Sequence, residues 1–146
     1  MARPMAQTAA KPAPAAAGAG RLIEIDATDQ MKFTVTSITA KPGEVLHVRL
    51  KAVGSMPKMA MSHNFVLLTA GADATAFAND AVMAQATAYI PAAKKAQVIA
   101  HTPTMVGAGE TTDVTFKAPA KAGTYTFLCS FPGHFAAGMK GTLTVK

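Results

Sequence analysis

Tryptophan is absent from this 146-residue chain, aromatic residues make up only 6% of it, and cysteine occurs once. The single thiol, Cys129, excludes an internal disulfide. In an exported protein a lone thiol is a reactive group, a link to another chain or a metal ligand. No run of about 18 consecutive apolar residues exists, so no segment reads as a membrane-crossing helix. Acidic residues are few, 8 against 14 bases, and the net charge is +6. That excess suits an acidic protein face or an anionic membrane surface. Without a Lys/Arg stripe or a basic run interleaved with aromatics, it does not read as a nucleic-acid binder. A Ser/His/Asp set, paired carboxylates and a phosphate-binding loop are also missing, which argues against an enzyme and against a small-molecule substrate.

What is present divides into a leader and one domain. Residues 1–20 are Ala, Pro and Gly with no hydrophobic period, the composition of a disordered or polyproline-like linker. They lack the apolar core of a signal peptide. They read either as the remnant of an exported or membrane-tethered chain or as an uninformative leader. Residues 21–146 are long enough to bury a core and carry 12 bases against 8 acids. Short β-favouring segments recur, at 22–25, 33–36, 45–50, 63–68, 97–101, 112–116, 123–129 and 141–145, with turn signals such as Lys41-Pro42-Gly43-Glu44 between them. Val48 and Leu50 alternate with His47 and Arg49, whereas 63–68 is almost continuously apolar, as in a strand covered on both faces. Residues 72–88 are Ala-rich, with Phe77, Val82 and Met83 near helical spacing and Pro91 as a stop. The expectation is an all-β sandwich of about eight strands with a helical insertion near residues 72–88.

The chemistry is concentrated in one loop. Cys129-Ser130-Phe131-Pro132-Gly133-His134 continues through Phe135 and Ala136 to Met139, a Cys-x₄-His-x₄-Met spacing between two strands. His63-Asn64 lies upstream, at the start of an apolar run. Two imidazoles, a thiolate and a thioether form the donor set of a type 1 copper centre, in which a trigonal His₂Cys plane and a weak axial Met serve both Cu(I) and Cu(II). Because His63 stands on another strand, the expectation is that the metal ties the two sheets together. Each residue alone has a plainer reading, as core Cys, hydrogen-bonded His or core Met. Zinc competes for Cys and His, but structural zinc favours several thiolates or two close pairs. His47 and His101 read as surface or structural residues.

The chain resembles the cupredoxins, specifically the azurin and auracyanin group. The resemblance rests on Asp29-Gln30-Met31, Met61-Ser62-His63-Asn64, Val98-Ile99-Ala100-His101-Thr102, Gly107-Ala108-Gly109-Glu110, the Cys129–His134 motif and Met139-Lys140-Gly141-Thr142 in that order, and it covers residues 21–146. It implies a Greek-key β-sandwich with a helical flap and one mononuclear copper. His63, Cys129 and His134 would be equatorial ligands, Met139 axial, and the backbone carbonyl of Ser62 a weak fifth. Asn64 and Phe131 would surround these ligands, with Asn64 steadying the Cys loop. The chain departs from azurin in four respects. Four residues, not three, separate His134 from Met139, as in auracyanin and plastocyanin. Ser62 replaces a glycine. The family disulfide is missing, and the Ala/Pro-rich leader is similar to the tether of auracyanin.

The function this implies is one-electron transport in the periplasm or on the outer side of a membrane, by a monomer. Its partners would be cytochromes or membrane electron-transfer complexes. The His134 edge would be the electron port, within an apolar docking patch formed by Met56, Met59, Met61, Pro132, Phe135 and Ala136. Transient redox encounters need less than roughly 1,200 Å² of interface. A periplasmic copper carrier is the alternative, because Met56-Pro57-Lys58-Met59-Ala60-Met61 is dense in thioethers. Copper nitrite reductases contain a comparable site, but need a second copper and a second domain.

Overall fold

Alternating apolar and polar residues give a strand one buried face, and most of the eight strands among the described residues follow this pattern. A computed structural model describes residues 20–146, so the reading of 1–20 as a linker lies almost wholly outside the described residues. In chain order the strands are β1 (Arg21–Ala27), β2 (Ser37–Ala40), β3 (Val45–Ala52), β4 (Val66–Leu68), β5 (Val98–His101), β6 (Thr111–Lys117), β7 (Gly123–Leu128) and β8 (Lys140–Val145). They make two sheets, ordered β1-β3-β6 and β2-β8-β7-β4-β5. β1 runs parallel to β3 and β2 parallel to β8, and the other pairs are antiparallel. The main core lies between the sheets and includes Ile25, Leu46, Leu50, Phe65, Leu67, Phe127 and Leu143.

The strand expected at 33–36 begins instead at Ser37. Phe33 is buried but joins β1 only through an isolated bridge to Ala27. Thr34 closes that bridge locally, its hydroxyl accepting from the Asp26 N–H. Ile38 and Ala40 then alternate inward along β8. The continuous apolar run at β4 is confirmed as doubly covered. Leu67 faces the main core, while Val66 and Leu68 join Phe77, Ile90 and Leu128 in a second cluster.

That second cluster is roofed by the insertion. Helix α1 (Ala74–Ala81) starts at Asp73, whose carboxylate accepts from the Ala76 N–H at 3.0 Å, a standard N-cap. It ends well before residue 88. Of the three residues at helical spacing only Phe77 is buried, while Val82 and Met83 are exposed. With no further apolar face to bury, the chain continues as two 3₁₀ turns, Gln85–Thr87 and Ala92–Gln97. Pro91 does not stop the segment; it sits at the start of the second turn, where a missing N–H costs nothing.

Candidate metal centre

Three adjacent strands deliver the four sulfur and imidazole residues to one end of the larger sheet. Cys129 directly follows β7, Met139 directly precedes β8, and His63 lies just before β4. β4 pairs with β7 and β7 with β8. The expected tie between two sheets is therefore corrected: Cys129, Met139 and His63 flank neighbouring strands of the same sheet. His63 is anchored by reciprocal backbone hydrogen bonds of 2.9 Å with Val106, in the connection between β5 and β6.

The loop between Cys129 and Met139 is held by its own backbone. The Cys129 N–H donates to the Met139 carbonyl at 3.2 Å and closes it. Inside it, the Met139 N–H reaches the His134 carbonyl at 3.0 Å and the Gly138 N–H reaches Phe135 at 2.9 Å. These are the paired bonds of a Schellman turn, and Gly138 takes the left-handed position with φ 101°. The fourth residue between His134 and Met139 is this glycine, so the longer spacing is a defined turn. Lys32 adds a clamp from the other side, donating to the Ala137 carbonyl at 2.6 Å.

One donor atom from each of His63, Cys129 and His134 lies within 4.8 Å of the others. The three residues are 1%, 0% and 2% exposed, and Met139 is fully buried. The Cys129 sulfur is 3.5 Å from His134 Nδ1, and the two imidazole rings are 5.0 Å apart. The Ser62 carbonyl stands 4.0 Å from the same sulfur. His63 Nδ1 is buried with no hydrogen-bond partner. A buried polar atom left unpaired is costly, and a cation held between these donors would satisfy it. The donor set therefore fits a copper ion.

Burial, reinforced by the neighbouring His134, pushes His63 down to about 4, and burial alone pushes His134 down to about 4. Both imidazoles are thus neutral at pH 7 and ready to donate lone pairs. Burial drives the Cys129 thiol up to about 12, against the opposing pull of backbone N–H groups of Asn64 and Phe131. Asn64 also grips the residue after Cys129. Its carbonyl oxygen accepts from the Ser130 N–H at 2.8 Å, and its amide donates to the Ser130 hydroxyl at 2.9 Å. Phe131 packs on His134 with ring centroids 4.8 Å apart.

The apolar surface differs from expectation at one residue. Met59 is 89% and Met56 40% exposed, but Met61 is 7% exposed and lies beneath the surface. The turn joining Pro57 to Met61, in which the Pro57 carbonyl accepts from both Ala60 and Met61, buries it. Pro132 and Phe135 are half-buried and Ala136 exposed. His47 is half-buried 3.4 Å from Asp113, and His101 Nδ1 lies 2.8 Å from the Thr102 carbonyl. Sequence reasoning missed Ser130, Lys32 and Tyr89. Ser130 was signalled by its place beside Cys129; the other two act through contacts 105 and 41 residues away.

A family described as "Copper binding proteins, plastocyanin/azurin family" matches residues 19–146. Azurin from Pseudomonas denitrificans is 43% identical over 127 residues, 85% of this chain and 97% of that protein. Auracyanin-B from Chloroflexus aurantiacus is 42% identical over 120 residues, 82% of this chain but 49% of that protein. Among solved structures, auracyanin A from Chloroflexus aurantiacus, described as a "blue" copper protein, superposes with a TM-score of 0.76 at 36% identity, covering 86% of this chain and 98% of that one. Dithionite-reduced auracyanin from Roseiflexus castenholzii gives 0.75 at 34% identity, covering 88% and 99%.

Proposed function

We propose that His63, Cys129, His134 and Met139 would hold the copper of this chain, which belongs to the copper-binding plastocyanin/azurin family and is a blue copper protein that carries single electrons and not an enzyme. The observation that carries this assignment is the convergence of three buried donors within 4.8 Å around an imidazole nitrogen that has no other partner. Bound copper supplies a centre that alternates between Cu(II) and Cu(I).

The chain's own residues do the rest. The neutral imidazoles need not shed protons to donate, whereas the Cys129 thiol must lose one on metal binding. Asn64, through Ser130, and the Asn64 and Phe131 backbone N–H groups orient and stabilise the sulfur as a thiolate. The Schellman turn and Lys32 hold His134 and Met139 at fixed separation. A site that rearranges little between oxidation states exchanges electrons quickly. Ser62, 4.0 Å from the sulfur, is the candidate for a weak fifth contact through its carbonyl.

The protein works outside the cytoplasm, and residues 21–146 act as one cupredoxin domain, with 1–20 as a linker or tether to a membrane. It meets cytochromes or membrane electron-transfer complexes as a monomer through the patch of Met56, Met59, Pro132, Phe135 and Ala136 around His134. The exposed thioethers keep copper delivery as the competing reading, and burial of all four donors opposes it. Release of copper to a chelator separates the two: slow release supports the electron carrier, and fast release supports the delivery protein.

A further inference from the structure

Lys32 stands 105 residues before Ala137, yet its Nζ donates to the Ala137 carbonyl at 2.6 Å, inside the turn that spaces His134 from Met139. The ammonium lies against the loop backbone itself: a Cβ on Gly138 would meet it at 2.7 Å. Ala137 and Met139 are two peptide steps apart, so their Cα atoms are separated by at most about 7.6 Å. The chain around Lys32 holds the charge there. Lys32 leaves a tight turn in which the Met31 N–H donates to the Thr28 carbonyl and the Thr28 N–H to the Lys32 carbonyl, each at 3.0 Å. Met31 takes a left-handed φ of 59°, a strained state that surrounding contacts must maintain. The next residue, Phe33, is buried and packs on Phe127 with ring centroids 5.6 Å apart, on the strand that leads to Cys129. The charge is also uncompensated at contact range. Among the described residues the ion pairs are those of Arg21, His47, Arg49, Lys58 and Lys94, and none involves Lys32.

We propose that Lys32 is a potential-tuning residue: its fixed ammonium, acting by charge from the Met139 side, raises the reduction potential of the copper centre. This rests on the copper assignment above. Reduction adds one electron and lowers the charge of the site by one, and no bond of Lys32 forms or breaks. A nearby cation therefore favours the reduced state by Coulomb attraction. The hydrogen bond keeps that charge at one distance, whereas a free lysine spreads it over many rotamers. Two other charges lie close by. Lys140 Nζ sits 5.1 Å from the Phe135 ring centroid. Asp29, in the same turn as Lys32, accepts the Ser55 N–H at 2.9 Å and is felt as an opposing charge at His63. Coulomb terms add, so removing Lys32 alone reports its own contribution. Because Lys32 is exposed, water and salt screen that contribution.

The test is voltammetry of the copper-loaded protein and of Lys32→Met, Lys32→Gln and Lys32→Arg, with Lys121→Met as control. Lys121 is exposed and precedes β7, whose other end leads to Cys129, so the control removes the same charge from the opposite end of that strand. Lys32→Met and Lys32→Gln are expected to lower the potential alike. The equilibrium constant for reduction falls several-fold at low ionic strength and less at high, with the visible absorption and copper hyperfine splitting unchanged. Lys32→Arg, which keeps the charge, and Lys121→Met are expected to stay near wild type. Wild-type potentials in both neutral variants would overturn the proposal. An equal fall in Lys121→Met would also overturn it, because net charge alone would then be acting. So would a wild-type potential in Lys32→Gln beside a lowered one in Lys32→Met, because an uncharged donor to Ala137 would then suffice. In copper-free protein, NMR of the isotope-labelled Lys32 ammonium is expected to show slower proton exchange with water than at Lys121; equal exchange would contradict the fixed geometry. Absence of blue colour in the wild type loaded with Cu(II) would sink the copper assignment instead, while the copper-free exchange would still report on Lys32.

Discussion

At the scale of single residues, burial sets the protonation of the site. His63 and His134 fall to about 4 when folded, below the ordinary 6.5 of an exposed histidine. The unfolded chain therefore binds more protons between these values, and stability is gained as pH rises through that window. The copper-free protein is expected to be fully stable above about pH 6.5 and to lose stability as pH falls toward 4, by as much as ~2.7 kcal/mol per pH unit where both imidazoles contribute. Denaturant melts of apo-protein at a series of pH values measure this; a flat profile between 6.5 and 4 would contradict the burial of the imidazoles. Gly138 makes a second residue-scale claim. Its φ of 101° suits glycine, and a Cβ there would meet Lys32 Nζ at 2.7 Å. Gly138→Ala is expected to cost about 1–3 kcal/mol and to disturb the metal spectrum, because the turn spaces His134 from Met139. An unchanged melting midpoint would refute that role.

At the scale of elements, the insertion and the larger sheet stabilise each other. Phe77 is the anchor of α1, fully buried between the helix and Val66, Leu68 and Leu128. Phe77→Ala is expected to cost about 3–5 kcal/mol, read from the unfolding midpoint, with the metal spectrum retained by whatever protein remains folded. Much of this level was legible in the sequence. The strands at β3, β6, β7 and β8 follow period-2 alternation or β-branched runs, and the Cys-x₄-His-x₄-Met loop carried Cys129, His134 and Met139, all of the donor set but His63. Three things were not legible. β2 begins after Phe33 because Thr34 and Asp26 form a local bridge, a contact no periodicity signals. The helix stops early because Val82 and Met83 have nothing to pack against, and apolar spacing alone does not reveal whether a partner exists. The placement of His63 beside β7, in the same sheet as Cys129, depends on strand order, which local pattern does not encode.

At the scale of the whole molecule, charge and surface govern the encounter with partners. The net charge of +6, with Met59 exposed and Ala136 exposed two residues after His134, underlies the proposed electrostatic approach followed by apolar contact. Ala136→Asp is expected to slow electron exchange with a physiological partner several-fold while leaving the absorption spectrum intact; stopped-flow rates equal to wild type would remove Ala136 from the docking surface. Association with an acidic partner is expected to slow as ionic strength rises. All of this depends on one centre, and the most direct measurement is the visible absorption and EPR of the protein loaded with Cu(II), beside Cys129→Ser treated in the same way. A type 1 site requires intense blue colour and a narrow copper hyperfine splitting in the wild type, bleached by mild reductant, and neither feature in Cys129→Ser. A pale wild-type protein with ordinary hyperfine splitting, or blue colour that survives in Cys129→Ser, would contradict it.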